Sequence, residues 1–390
     1  MAKNERKKIL FMSTYPPRKC GIATFTQDLA TAISKSTDSS MDHEIIAMNK
    51  KGIIIPDYPE EVVFQINDGN IQEYTEVANK INKDNSIKLV NIQHEFGIFG
   101  GYYGKYLLKF IEALNKPLIV TFHTVVPHSI HESKRRKRVV RRIAKGAKKI
   151  VVLNKLAIDI LREDYGLDGS KIVVIPHGIH EVSFEKNEKE KVKFGYKDRI
   201  ILTTFGFFRK SKGYEYIIEA LPEVIKKFPN VLYIFIGETH PAVRKWEGES
   251  YLNLLKRRVS KLDIQGNVKF IHRYVDLEEL IRYLKASDLY ICATKSSGQI
   301  TSGTLAYAMG CGRAVVATPF LHAKEIVNSE RGVLLGGFKK PKLISEGIIK
   351  VLSNPSLREE MERNAYEFTR HMTWSNVADS YLKLFNEYME

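Results

Sequence analysis

The chain has 390 residues, 44% of them hydrophobic and 27% charged, and carries a net charge of +16. That length suits two domains of ordinary size, each able to bury a core, and the composition is that of a soluble globular protein. No apolar run approaches the ~20 residues that span a bilayer, and Ile9-Leu10-Phe11-Met12 is too short for a signal-peptide core. Cys20, Cys292 and Cys311 stand far apart, with neither metal-ligand spacing nor a disulfide framework, so a reducing cytoplasm is the expected compartment. The positive excess points to anionic partners: nucleic acid, an anionic membrane surface or a polyphosphorylated ligand.

Lys8 to Thr14 reads as a short buried strand. A tight loop, Tyr15-Pro16-Pro17-Arg18-Lys19-Cys20-Gly21, leads into a helix with Ile22, Phe25, Leu29 and Ile33 on one face. Strand, glycine loop and helix outline a ligand crevice at the carboxyl end of a parallel strand, which makes Gly21 a candidate binding position. Neither the dinucleotide Gly-x-Gly-x-x-Gly fingerprint nor a Walker loop is present, and Gly21 simply relieving a turn is the plainer alternative. Apolar runs at Glu44–Met48, Val62–Ile66, Leu89–Ile92, Leu118–Phe122, Ile150–Leu153 and Ile172–Ile175 alternate with helical stretches. Such alternation predicts α/β layers around a mostly parallel sheet. Two of the runs end in histidine, at His94-Glu95-Phe96-Gly97 and at His123. Strand ends face the ligand in such a sheet, so His94 and His123 are expected close together there, a satisfied structural histidine being the alternative for each.

Lys134 to Lys149 holds ten Lys or Arg among sixteen residues, with a thin apolar stripe of Val139, Val140, Ile143, Ala144 and Ala147. A basic amphipathic helix lying on anionic lipid is one expectation; a solvated outer helix, or one that binds a charged acceptor, is the other. Nucleic acid is not expected, because no aromatics interleave the basic run. The stretch Glu185–Arg199, dense in Lys and Glu, is the linker candidate.

A second set of strands begins at Ile200–Phe205 and continues at Val231–Ile236, Val268–Ile271, Leu289–Cys292 and Ala314–Ala317. The loop Gly206–Gly213 is expected to project Arg209 and Lys212 into a cleft between two lobes, with solvated loop cations as the plainer reading. Further on, Thr301, Ser302, Gly303 and Thr304 precede a helical run, Leu305–Met309. An open, hydroxyl-rich helix start aims N–H groups and the positive end of the helix dipole at an anion, phosphate being the usual guest. An ordinary capped helix is the alternative. The domains are accordingly drawn as 1–188, 189–372 and a C-terminal helix at 373–390 that carries Trp374, Val377, Tyr381, Leu384 and Phe385 on one face.

With these stretches in place the chain resembles the retaining GT-B glycosyltransferases of the family 4 type, along nearly its whole length. Thr121-Phe122-His123 is similar to the segment whose histidine lies near the donor sugar, and Ile175-Pro176-His177-Gly178 to the interdomain motif. Gly206-Phe207-Phe208-Arg209-Lys210-Ser211-Lys212-Gly213 resembles the basic loop that holds the nucleotide diphosphate. Met309-Gly310-Cys311-Gly312-Arg313-Ala314-Val315-Val316-Ala317, followed by Glu325-Ile326-Val327, resembles the segment typical of the C-terminal lobe. Where the family has two glutamates, this chain has Gln299 and Tyr307, the marks of a distinct subgroup.

The resemblance implies two Rossmann-like lobes with parallel sheets facing a central cleft, the first for the acceptor and the second for the nucleotide sugar. It implies transfer of a mannose- or glucose-type hexosyl group to a hydroxyl of a saccharide or lipid-linked acceptor, with retention and without a metal. A nucleotide-diphosphate sugar is the co-substrate and no cofactor is expected. Arg209, Lys212 and His123 are the catalytic candidates. Gly21, Gln299, Thr301, Ser302, Gly303, Thr304, Tyr307 and Glu325 are the donor-side candidates; Glu325 reads equally as a helix-start acid. His94 and Glu95 are the acceptor-side candidates. Peripheral contact at the inner face of the membrane would run through 134–149. Three alternatives on this fold stay open: a sugar phosphorylase, a nucleotide-sugar epimerase, and a nucleotide-sugar-binding protein without turnover.

Overall fold

The apolar runs of the first half become parallel strands β1 (Lys7–Ser13), β2 (Met41–Asn49), β3 (Val62–Asn67), β4 (Ile87–His94), β5 (Leu118–Phe122), β6 (Lys149–Val152) and β7 (Ile172–Val174). They pair in the order β3-β2-β1-β4-β5-β6-β7. The second half forms β8 (Ile200–Phe205), β9 (Val231–Ile236), β10 (Val268–Ile271), β11 (Leu289–Cys292), β12 (Val315–Ala317) and β13 (Gly332–Leu334), in the order β10-β9-β8-β11-β12-β13. Central strands covered by helices on both faces need apolar side chains at every position, which is why every residue of β5 and of β9 is buried. This computed structural model describes residues 6–36, 41–52, 55 and 57–389. The chain falls into two units, Met1–Gly178 with Met372–Glu390, and Ile179–His371.

In the first unit, the helix Gly21–Ser36 packs Phe25, Leu29 and Ile33 against Trp374, Val377, Tyr381 and Phe385 of the C-terminal helix Trp374–Asn386. The Tyr381 hydroxyl also shares a 3.0 Å hydrogen bond with Thr121 of β5. Gly178 permits this packing, because a Cβ there would stand 2.3 Å from the Trp374 indole. The chain end therefore belongs to the first core.

The basic helix runs from Lys134 to Gly146, and Ser133 caps it by accepting from the Arg136 N–H. Its apolar stripe does not face outward. Val139, Val140, Ile143 and Ala144 are all buried, so the face that lipid insertion requires is already used for packing. Nor do its arginines form one interchangeable surface. Arg136 is buried and its Nε donates to the Tyr165 hydroxyl at 2.8 Å, while Arg141 Nε donates to the Tyr165 carbonyl at 2.6 Å and Arg142 pairs with Glu112.

The expected linker proves to be structure. Residues Glu188–Lys193 form a short helix of the second unit, and the break between units lies ten residues before the drawn boundary of 188/189. Asp288, at the start of β11, explains why. Its carboxylate takes the Lys191 ammonium at 2.6 Å, the Arg358 guanidinium at 3.0 Å, the Asn187 amide at 2.8 Å and the Ile201 N–H at 2.7 Å. A Lys- and Glu-rich stretch reads as solvated, but here one buried carboxylate gives it a reason to fold. The structure adds an edge strand, β13, that the sequence reading does not include.

Candidate active site

The candidate residues of the second unit gather where β8, β11 and β12 end. After β8 the chain turns through Gly206 and a short helical turn, Lys210–Lys212, to Gly213. Gly213 has φ +69°, and a Cβ there would lie 2.3 Å from the Ala293 carbonyl oxygen, so only glycine lets this loop lie against the one after β11. Backbone bonds lock the two together, Lys295 N–H donating to Ser211 O at 2.8 Å and Thr294 Oγ1 to the same oxygen at 3.2 Å. The loop after β12 is tied in turn, with Thr318 Oγ1 donating to Thr294 O at 2.7 Å.

Within this frame the Lys212 side chain turns back over Gly206. Its Cε and Nζ each lie 3.7 Å from the point a Gly206 Cβ would occupy, and Thr304 Cγ2 is 3.6 Å from the same point. Burial lowers the Lys212 pKa, and the Cys292 thiol beside it is raised by burial in turn. Lys210 pairs with Glu247 at 2.8 Å and Lys295 with Glu215 at 2.8 Å, whereas Lys212 and Arg209 have no carboxylate partner among the described residues. Arg209 is exposed, and its charge adds to burial in lowering the pKa of His240, just beyond the end of β9.

Ser302 is the N-cap of the helix Gly303–Gly310, its Oγ accepting from Leu305 N–H at 3.3 Å. It also shares a 3.2 Å hydrogen bond with Thr304 Oγ1. The N–H groups of Gly303 and Thr304 meet no acceptor among the described residues, and the buried Thr301 hydroxyl likewise has none. Two free helix-start N–H groups beside a half-buried, unpaired ammonium form a pocket of positive potential suited to an anion.

Other donor-side candidates are placed differently. The Gln299 amide is committed to its own loop, Nε2 donating to Thr301 O at 3.0 Å and Oε1 accepting from Thr294 Oγ1 at 3.3 Å. Tyr307 is half-buried, its ring stacked on Phe205 with centroids 6.4 Å apart and its hydroxyl 3.4 Å from His180 Nε2. Glu325 is the fifth of six residues in the helix Leu321–Ile326, so it is not a helix-start acid. The structure adds two residues that the sequence reading does not single out, His322, buried on that same helix, and Cys292. The His322 signal was present, since it follows a strand end by a few residues as His123 does.

In the first unit, Gly21 begins the helix Gly21–Ser36 and a Cβ on it would meet nothing within 4 Å, so no close approach there requires glycine. His94 and His123 end neighbouring strands, and the His123 N–H donates to His94 O at 3.0 Å, yet their rings part. Register pairs His94 with Phe122, so His123 comes one residue later and takes the opposite side of the sheet. There its Nε2 donates to Gln93 Oε1 at 2.8 Å and its ring meets Phe25 edge-on at 4.6 Å. Gln93 in turn donates to Asn91 Oδ1, which orients the amide and leaves His123 Nδ1 with a lone pair. His94 is enclosed by Phe96, Phe99 and Phe122, with no exposure and no partner for either nitrogen among the described residues, so it does not face a crevice. Glu95 accepts from Phe96 N–H at 2.9 Å and from the Thr124 hydroxyl, bracing the loop after β4.

Burial pulls both histidines down from 6.5 to about 3. Between those values the unfolded chain binds more protons than the folded one, so the stability they contribute is complete above 6.5 and is lost as pH falls toward 3. Each contributes a slope of roughly 1 kcal/mol per pH unit. Urea melts from pH 7 to pH 4.5 are expected to show this loss, and His94→Phe to lower the slope by roughly 1 kcal/mol per pH unit; an unchanged slope would mean that His94 is not neutral when folded.

The family model described as Glycosyl transferases group 1 matches residues 185–368, and that of Glycosyltransferase Family 4 matches residues 61–181. In sequence the chain is similar to an uncharacterized glycosyltransferase of Methanocaldococcus jannaschii, 28% identical over 409 residues that cover 97% of this chain and 98% of that protein. In structure it is similar to sucrose-phosphate synthase of Thermosynechococcus elongatus, with a TM-score of 0.78 at 15% identity and coverage of 98% and 99%. HepE of Anabaena, in complex with UDP and glucose, superposes with a TM-score of 0.74 at 16% identity and coverage of 98% and 100%. The fold is GT-B. The match to Glycosyltransferase Family 4 falls almost wholly in the first unit and the match to Glycosyl transferases group 1 in the second.

Proposed function

We propose that this protein transfers a hexosyl group from a nucleotide-diphosphate sugar to a hydroxyl of a saccharide or lipid-linked acceptor, with retention at the anomeric carbon and without a metal. The observation that carries the reading is the Lys212 ammonium, half-buried and unpaired, set against Gly206 and Thr304 where the Gly303–Gly310 helix begins. A cation kept there without a carboxylate is matched to an anionic guest, and a diphosphate is the guest with enough charge for Lys212, Arg209 and two N–H groups together. The neighbour HepE, described with UDP and glucose, supports a donor of this class.

The difficult event is departure of the diphosphate, whose oxygens gain negative charge as the glycosidic bond breaks. Donors already aimed at that charge stabilise it by several kcal/mol, roughly 2.7–4 for each as in oxyanion holes. Arg209 offers a fork of N–H groups, Lys212 a point charge, and Gly303 and Thr304 fixed backbone donors. The acceptor proton passes to the departing phosphate on the face where the new bond forms. His123, neutral with Nδ1 bare, accepts a hydrogen bond from a sugar hydroxyl and orients it. We assign acceptor recognition to the first unit.

Incubation with UDP, GDP and ADP hexoses and a panel of hydroxyl acceptors, followed by mass spectrometry and NMR of the anomeric proton, tests this. A glycosylated product with the donor's anomeric configuration is expected. Sugar phosphate release or donor interconversion without acceptor would replace transfer with a phosphorylase or epimerase, and an inverted product would remove retention.

A further inference from the structure

His322 fixes the turn at which the Gly303–Gly310 helix begins. It follows β12 by five residues and is 2% exposed. Its Nδ1 accepts the backbone N–H of Ser302 at 3.0 Å, and its own backbone N–H donates to Gln299 O at 3.1 Å. Just before it, Leu321 N–H donates to Ser297 O at 3.2 Å. The loop from Ser297 to Ser302 is therefore held at three points by the start of the Leu321–Ile326 helix. A ring that accepts at Nδ1 is neutral and carries its proton on Nε2.

The importance of the Nδ1 bond lies in the residue it reaches. Ser302 is the N-cap, with φ −138° and ψ 98°, and its conformation sets the direction in which the Gly303 and Thr304 N–H groups leave the chain. Three successive N–H groups, those of Ser302, Gly303 and Thr304, are free of helical partners at this turn. His322 engages the first and leaves the next two. Without that acceptor the buried Ser302 N–H would have to rotate to find another, and the two donors beyond it would rotate with it.

We infer that His322 is a positioning residue for the leaving diphosphate, holding the Ser302 peptide so that the Gly303 and Thr304 N–H groups stay aimed at the anion. The inference rests on the diphosphate reading of this turn. It concerns one acceptor atom, so it makes a chemical distinction that packing alone does not. Asparagine places Oδ1 at the same distance along the side chain as histidine places Nδ1, whereas leucine fills space and accepts nothing.

Calorimetric titration of the full chain with UDP, GDP and ADP, run below the melting temperature of every variant, separates the possibilities. His322→Leu is expected to weaken the preferred nucleoside diphosphate about tenfold, and His322→Asn to bind within roughly threefold of the unsubstituted protein. In turnover assays the loss in His322→Leu should fall on kcat and on KM for the donor, leaving KM for the acceptor unchanged. If His322→Leu binds normally while Arg209→Ala does not, the inference fails and the diphosphate site stands. If His322→Asn is as weak as His322→Leu, the bond to Ser302 is not the cause and the inference fails as well. If the unsubstituted protein binds no nucleoside diphosphate, the diphosphate reading itself is wrong.

Discussion

Lys212→Ala is expected to weaken nucleoside diphosphate binding by one to two orders of magnitude and to lower kcat by about 10²–10³-fold. Arg209→Ala should act in the same direction and less strongly. The difference follows from solvent. Lys212 is half-buried between Gly206 and Thr304, where its charge is poorly screened, whereas Arg209 is exposed. Raising the salt from low to high concentration should therefore erode the contribution of Arg209 and leave most of that of Lys212. Lys210, which pairs with Glu247 on the surface, provides the control: Lys210→Ala should leave binding within about twofold, as expected for an exposed ion pair. Titration of the three variants at two ionic strengths checks the whole pattern. Normal binding by Lys212→Ala would remove the leaving-group site from this loop.

The second large effect concerns stability. Asp288→Ala is expected to cost about 3–5 kcal/mol, because it strands the buried Lys191 ammonium and takes a partner from Arg358. The same change removes the 2.8 Å partner of Asn187, leaving its amide only the 3.4 Å bond to Ser287 O, and so loosens the Glu188–Lys193 helix where it meets β11. Urea unfolding gives the free energy, and limited proteolysis with a protease cutting after lysine should show new cleavage between 186 and 197. A loss below about 1 kcal/mol would mean that the pairs are balanced by water instead.

How much of this was legible in the sequence depended on what kind of force holds each part. The strands β5, β9 and β11 are readable to the residue because a parallel strand buried on both faces is almost wholly apolar. The Glu188–Lys193 helix was not, since its burial depends on Asp288, a hundred residues away in sequence. The same limit governs the site. Arg209, Lys212 and the Thr301–Thr304 turn were visible from their place beyond strand ends, a position that topology reserves for ligands. Side-chain direction was not visible. His94 and His123 carry the same sequence signal, yet a one-residue offset in register sends one ring among three phenylalanines and the other to Gln93. Gln299 looked like a sugar ligand because its amide is polar and well placed, but its own loop claims both ends of that amide. In the basic helix the apolar periodicity is plain in the sequence, and the structure turns that side inward, with Arg136 among the buried residues.

The cross-ties among the three loops that follow β8, β11 and β12 bear on how such a site can diverge. Ser211 and Thr294 accept hydrogen bonds from a neighbouring loop through their carbonyl oxygens, and Ser297 and Gln299 from the start of the Leu321–Ile326 helix, so an insertion or deletion in any one would leave acceptors in the others unmet. Loop length, the usual currency of change in α/β enzymes, is closed here. A lineage that alters its ligand must instead exchange side chains on a fixed backbone, and Phe207 and Tyr307, both only half-buried, are the positions where such exchange meets least resistance.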